Sequence, residues 1–316
     1  MNNGEIITGA VLGHVIGDAL GVPVEFYPRT KLENNPVDCM LSYGTHYMPK
    51  GTWSDDSSMM LCTLLSIIEK RNIDFEDIMT RFSLWARTGY MTPHGKPFGI
   101  GRTTLKSIAK FWRGENATNC GCLAERDNGN GSLMRILPIS LVNSFSDSGT
   151  DEKIQRVHKI SSLTHAHERS CVACGIYNFI LEEIVRVQNK SAIALGLEKA
   201  MNYYKYSSEI QVFERLFETG FSNFESCEIK SSGYVVDTLE SAIWSLLNSE
   251  NYKDTVLCAV NLGGDTDTIA AIAGGLAGAL YGYDDLPKEW INETLDKDNI
   301  LFMCDNFNDI FSRNEL

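Results

Sequence analysis

The chain has 316 residues, 43% hydrophobic and 22% charged, which excludes a disordered polypeptide and gives enough apolar material for a large core without cross-links. With 41 acidic against 28 basic residues it carries a formal charge of −13 and no Lys/Arg run, so neither nucleic-acid binding nor docking on an anionic membrane is expected. Nine cysteines, an odd number scattered from Cys39 to Cys304, read as reduced thiols of a cytoplasmic protein.

In chain order, the opening MNNGEIITGAVLGHVIGDALGV has no cationic region before its apolar stretch, unlike a secretory signal. His14 and Asp18 break that stretch, which is too short to span a bilayer. LSYGTHY, near residue 41, is the best candidate strand and a weak one. Residues 57–70 read as a helix after an Asp pair able to cap it. Residues 75–87 place Phe75, Ile78, Met79, Phe82 and Trp85 on one helical stripe. The polar stretches 143–153 and 222–233 read as surface loops. Asp237 and Glu240 have capping-box spacing at the head of an apolar helix. The segment 252–264 ends in Gly263-Gly264, suited to a left-handed helix end. A small-residue helix follows, in which Gly274, Gly275 and Gly278 permit close approach to neighbours. No internal repeat or low-complexity tract interrupts the pattern. The expectation is one all-α, compact multi-helix domain over residues 1–316, acting as a monomer.

Two acidic clusters each lie at the mouth of a helix: Ser54, Asp55 and Asp56 in GTWSDDSSMM, and Asp265, Asp267 and Thr268 in GGDTDTIA. If the two mouths meet, four carboxylates and two hydroxyls face one point. Oxygen-only ligands suit hard cations, Mg²⁺ or Mn²⁺. About four negative charges call for two divalent ions rather than one; bridged pairs roughly 3.5–4 Å apart orient water and polarise substrate oxygens. One cluster alone would read as helix capping. Two, each with a flanking hydroxyl and more acids than a cap needs, favour metal.

These residues sit in motifs that resemble the ADP-ribosylglycohydrolases, which include the dinitrogenase-reductase-activating glycohydrolase. GAVLGHVIGDALGVPVE (9–25), GTWSDDSSM (51–59), GNGSLMRILP (129–138), SSLTHAHERS (161–170) and GGDTDTIAAIAGG (263–275) follow the family's motifs in order, over residues 9 to about 282. The resemblance implies the family's compact all-α fold. It makes Ser54, Asp55, Asp56, Asp265, Asp267 and Thr268 the ligands of two Mg²⁺ or Mn²⁺ ions, with Asp267 as bridge. Glu25 matches the acid that approaches the ribose and assists the reaction. Asn130, Gly131 and Ser132 match a loop beside the diphosphate and ribose, and His165 another ligand-contacting position. Gly99 and Gly101, in PFGIGRTT, would let backbone N–H groups meet the diphosphate.

The function implied is metal-dependent hydrolysis of the bond between ADP-ribose and a modified protein side chain, arginine being the default acceptor. The alternatives are a non-catalytic ADP-ribose binder on the same scaffold and a binuclear-metal phosphohydrolase. Gly99 stands where many bacterial relatives carry Asp close to the scissile end of the ligand. Its loss implies weaker action on the arginine linkage, unless Glu125 or Asp127 substitutes, and predicts that Gly99→Asp raises it. His165, His167, Cys171 and Cys174 have a spacing that suggests zinc, but the cysteines sit on an apolar helical run and read as core thiols.

Overall fold

A computed structural model describes residues 1–313. Helix α1 (Asn3–Gly21) starts from a capping box: the Asn2 side chain accepts from the Glu5 N–H, and the Glu5 carboxylate from the Asn2 N–H, both at 2.9 Å. Every residue from Gly9 to Gly21 is buried. Contrary to the expectation that the stretch is too short to span a bilayer, Asn3–Val24 is a helical stretch long and apolar enough to do so, yet it lies buried inside the core, where a helix apolar on most sides belongs.

A short α2 (Arg29–Asn34) precedes α3 (Asp55–Lys70), whose N-cap is Ser54 and which ends at left-handed Arg71. Helix α4 (Phe75–Thr88) buries Ile78, Met79, Phe82 and Trp85 completely, along the stripe read from the sequence. Then come α5 (Arg102–Phe111), α6 (Leu137–Ser144), α7 (Thr150–Ser162), α8 (Glu168–Val187) and α9 (Ser191–Tyr204). Helices α10 (Val235–Leu247), α11 (Tyr252–Asn261), α12 (Thr266–Tyr281), α13 (Lys288–Glu293) and α14 (Lys297–Ser312) complete the fold. Side chains from Ile6 to Ile310 form one hydrophobic core.

Among the described residues there is no strand. The segment read as a weak strand is a tight hairpin closed by one bridge, Tyr43 to Met48. The capping box expected at Asp237 and Glu240 does not form. Helix α10 starts two residues earlier, where the Val235 N–H reaches Asn128 O at 3.1 Å. Asp237 instead accepts from Ser232 Oγ, while Glu240 is buried and meets Arg215 Nη1 at 3.3 Å.

Helices α1 and α12 lie antiparallel with their backbones in contact. A Cβ on Gly9 would stand 2.3 Å from Gly278 O, one on Gly13 2.6 Å from Gly274 O, and one on Gly17 2.1 Å from Ala270 O. One on Gly21 would stand 2.4 Å from Asp267 Cα. Glycine every four residues on α1 therefore lets the end of α1 touch the start of α12. Thr266 Oγ1 donates to Gly21 O at 2.8 Å across this junction. Gly17→Ala is expected to destabilise by about 1–3 kcal/mol, because the obstruction is backbone and has no rotamer to yield. Thermal denaturation should show a midpoint several degrees lower, and an unchanged midpoint would mean the helices separate freely.

Candidate active site

The end of α1 carries Asp18, fully buried. Both of its oxygens accept from the Ser54 N–H, at 2.9 and 3.0 Å, and Oδ2 also accepts from Ser57 N–H at 3.0 Å and Ser57 Oγ at 2.6 Å. This acid fastens the first turn of α3 onto the last turn of α1, so Asp55 and Asp56 arrive beside α12. Carboxylate oxygens of Asp18, Asp56 and Asp267 lie within 4.8 Å of one another. Those of Glu25 and Asp267 lie equally close to a ring nitrogen of His46. The two acidic clusters read from the sequence thus meet, with Asp267 common to both groups.

Capping occupies few of the acids' oxygens, although Asp267 Oδ1 accepts from the Thr268 N–H at 2.9 Å in the first turn of α12. Asp265 occupies the N-cap position of α12 without a side-chain capping bond, and α3 is capped by Ser54 Oγ, which accepts from the Asp56 N–H at 3.3 Å. Asp265 accepts from Asn130 Nδ2 at 2.5 Å, Thr268 Oγ1 lies 3.4 Å from Asp265 Oδ1, and Ser54 Oγ donates to Asp56 Oδ2 at 2.8 Å. Asp56 Oδ1 is buried with no partner at all.

Burial, reinforced by their mutual repulsion, pushes the carboxyls of Asp55, Asp56 and Asp267 well above the ordinary range. Burial raises Asp18 and Asp265 to about 6, against the hydrogen bonds they accept. No Lys or Arg pairs with any of the five among the described residues. Such a cluster either keeps protons or holds cations. Hard oxygen donors, a buried oxygen without a partner and the lack of protein counter-charge all fit divalent cations.

Asp55, Asp56, Asp265 and Asp267, though not Asp18, line a cleft of about 280 Å³. Of the positions expected to touch ligand, Gly99, Gly101, Asn130, Gly131 and His165 all line it, as do Glu25 and Thr268. Ser54 stands behind the acids. Ser132 does not face the cleft either; it is fully buried and accepts from Ser161 Oγ at 2.9 Å. Its hydroxyl serves the core beneath the loop. Fully buried Arg135 ties that loop down, donating to Gly131 O and Ile160 O at 3.1 Å and to Thr164 Oγ1 at 2.6 Å. Thr164 Oγ1 in turn lies 2.8 Å from His165 Nδ1. Burial, with Arg135 nearby, lowers His165 to about 3, so it faces the cleft as a neutral imidazole.

Four further residues matter that sequence reasoning did not single out as functional: Asp18, His46, Arg102 and Arg126. The two arginines line the cleft beside the first turn of α5, Gly101 to Thr104, which no side chain caps. Free N–H groups and guanidinium groups make that end of an acidic cleft suitable for an anion. The loop 222–233, read as mere surface, brings Ser231 and Gly233 against the site: Asp265 N–H donates to Ser231 O at 2.9 Å and Asn130 N–H to Gly233 O at 3.1 Å. His165 and His167 form no zinc site with the cysteines. Cys174 is fully buried and Cys171 nearly so, and His167 caps α8 and meets Glu125.

The geometry at Gly99 weighs against one expectation, that Gly99→Asp raises arginine-linked activity. Gly99 has φ +77°, and a Cβ there would stand 2.1 Å from Asp55 Oδ1. An added carboxylate would displace Asp55 and crowd another negative charge into the cleft. Gly99→Asp is therefore expected to lower turnover on every linkage, read by initial rates alongside metal affinity. Higher arginine-linked activity would show that Asp55 moves aside without cost. Neither Glu125 nor Asp127 substitutes: Glu125 pairs with Arg169 and Asp127 with Lys106, outside the cleft.

An all-helical protein whose acidic, oxygen-lined cleft forms where helix ends converge is the class that fold and site define. The sequence profile of the ADP-ribosylglycohydrolases matches residues 3–315, and the chain belongs to that family, whose members hydrolyse linkages to ADP-ribose. It is 33% identical to the ADP-ribosylarginine hydrolase Tri1 of Serratia proteamaculans, covering 92% of this chain and 76% of that one. It is 28% identical to the ADP-ribosyl-[dinitrogen reductase] glycohydrolase of Rhodospirillum rubrum, over 90% and 88% of the two chains. A solved structure described as an ADP-ribosylglycohydrolase-related protein complex superposes with a TM-score of 0.81 at 27% identity, over 98% and 99% of the two chains.

Proposed function

We propose that this enzyme removes ADP-ribose from modified arginine side chains of proteins, and does so with two Mg²⁺ or Mn²⁺ ions. The observation that carries the reading is the convergence of Asp55, Asp56, Asp265 and Asp267 on a cleft that Arg102, Arg126 and the uncapped start of α5 also line. The acids suit ribose hydroxyls held at hard cations, and the arginines with the free N–H groups suit a diphosphate. The arginine acceptor is supported by the relatives named ADP-ribosylarginine hydrolase.

Asp55, Asp56, Asp265, Asp267, Ser54 and Thr268 would hold the ions, which when bound supply Lewis acidity and a grip on vicinal hydroxyls. Asn130 orients Asp265, and Asp18 orients the Ser54–Asp56 turn. Hydrolysis breaks the C1″–nitrogen bond of the ribosyl-guanidinium and forms a bond from C1″ to water oxygen. Glu25, at the cleft edge and 7% exposed, takes the proton from that water, and the departing guanidine nitrogen regains one. His165, neutral and tied to Thr164, offers a hydrogen bond without adding charge.

Nine free thiols suit a reducing compartment such as the cytoplasm. The test is incubation with arginine-, serine- and nucleobase-linked ADP-ribose, with Mg²⁺, with Mn²⁺ and with excess chelator. Release of free ADP-ribose is expected, fastest from the arginine linkage, restored by either ion and abolished by chelation. Full activity in chelator would overturn the metal reading, and faster release from serine the acceptor.

A further inference from the structure

Glu25 is fastened from two sides. On one, its neighbour Phe26 adopts φ 65°, rare for an aromatic residue, with its N–H donating to Gly264 O at 2.7 Å and the Gly264 N–H donating back to Tyr27 O at 2.9 Å. On the other stands the 43–48 hairpin. Thr45 N–H donates to Pro23 O at 2.9 Å and Thr45 Oγ1 to Glu25 O at 2.7 Å, while His46 Nε2 hydrogen-bonds the Glu25 carboxylate. Gly44 lies so close that a Cβ would overlap Pro23 O. The His46 ring in turn leans on Phe98, centroids 5.1 Å apart, in the segment that carries Gly99.

We propose that Gly44–Thr45–His46 is a clamp on Glu25, with His46 a positioning residue for cleavage: it ties one carboxylate oxygen so that the other faces the scissile bond. The clamp rests on the reading of Glu25 as the proton-handling group. Strained backbone persists only where the surroundings over-determine it, and the contacts on either side of Glu25 do so here. A carboxylate on a free turn samples many rotamers, whereas one held through an oxygen presents the other in a single direction.

The experiment is a double-mutant cycle between His46→Ala and Glu25→Gln, on whichever of the arginine- and serine-linked substrates the wild type cleaves faster. His46→Ala should lower kcat roughly 10- to 100-fold, the scale of a misplacement of about 1 Å, with KM and Mn²⁺ affinity within about twofold of wild type. His46→Gln, which keeps an N–H donor, should recover most of the rate. In Glu25→Gln enzyme His46→Ala should cost nothing further, because the group it positions is gone.

Equal losses in both backgrounds would overturn the clamp, leaving His46 a structural residue. An imidazole nitrogen coupling in the spectrum of bound Mn²⁺, lost in His46→Ala, would also overturn it by placing His46 on the metal. Wild-type rates in Glu25→Gln would remove the Glu25 reading itself. Slow Glu25→Gln with fast His46→Ala would sink the clamp alone.

Discussion

Asp267→Asn is expected to abolish turnover with either Mg²⁺ or Mn²⁺ while raising the melting temperature of the metal-free protein. The two effects share one cause. Asp267 belongs to both groups of convergent side chains, so its loss takes a charge from each. The drop in kcat should be at least about 10²-fold, the low end for one preorganised electrostatic group. In the metal-free protein burial pushes the pKa of the same carboxylate up, and the neighbouring Glu25, Asp56, Asp265 and Asp18 push it further. A carboxyl whose folded pKa is raised above its unfolded value contributes stability fully below the unfolded value, and loses it as pH rises through the folded one. Near neutral pH, then, the ionised cluster opposes folding and the uncharged asparagine relieves it.

Metal-free wild type should accordingly melt higher at pH 5 than at pH 7.5, since Asp18 and Asp265, at about 6, regain protons within that window. Metal at 100 times its Kd adds about 2.7 kcal/mol per site, a shift of several degrees that Asp267→Asn should lose. Melting curves with and without Mn²⁺ decide it. A lower melting point in the metal-free variant would show that the acids are held by contacts other than cations.

Glu25→Gln is expected to separate chemistry from binding. The amide keeps the shape and the hydrogen bond from His46 but does not accept a proton from water, so kcat should fall by on the order of 10²–10⁴. ADP-ribose affinity and metal content should stay close to wild type. Single-turnover rates beside calorimetric binding of ADP-ribose make the comparison. A variant that binds poorly would assign Glu25 to holding the ribose, and one that turns over normally would leave it no part in proton transfer.

Much of this site is legible in the sequence because motif and chemistry agree there. Asp55, Asp56, Asp265 and Asp267 occur as pairs at helix mouths, which local spacing reveals. Asp18 appears only as an interruption of an apolar stretch; what makes it functional is the docking of α3, a contact 36 residues away at Ser54. His46 lay within a segment read as a weak strand, and nothing local says that the hairpin tip folds back onto Glu25. Arg102 and Arg126 are separated by 24 residues and meet only because α5 and the following loop pass the same cleft. Gly99 was read by analogy, and the backbone angle and nearness of Asp55 that weigh against Gly99→Asp exist only in three dimensions. Helix periodicity found α3, α4, α10, α11 and α12 but read 143–153, which holds the end of α6 and the start of α7, as loop, while long-range contacts decided what the helix ends do.

The glycine-lined seam between α1 and α12 has a consequence for how the protein comes into being. Its two sides are made far apart in time: on a ribosome adding roughly 5–20 residues per second, about 10–50 s separate Gly21 from Asp267. Throughout that interval α1, long and apolar enough to cross a membrane, lacks the surface it was built against, and no half of the cleft is competent alone. Truncated chains that stop before α12 should therefore aggregate rather than bind ADP-ribose weakly. The living cell would have to shelter α1 until translation is nearly done.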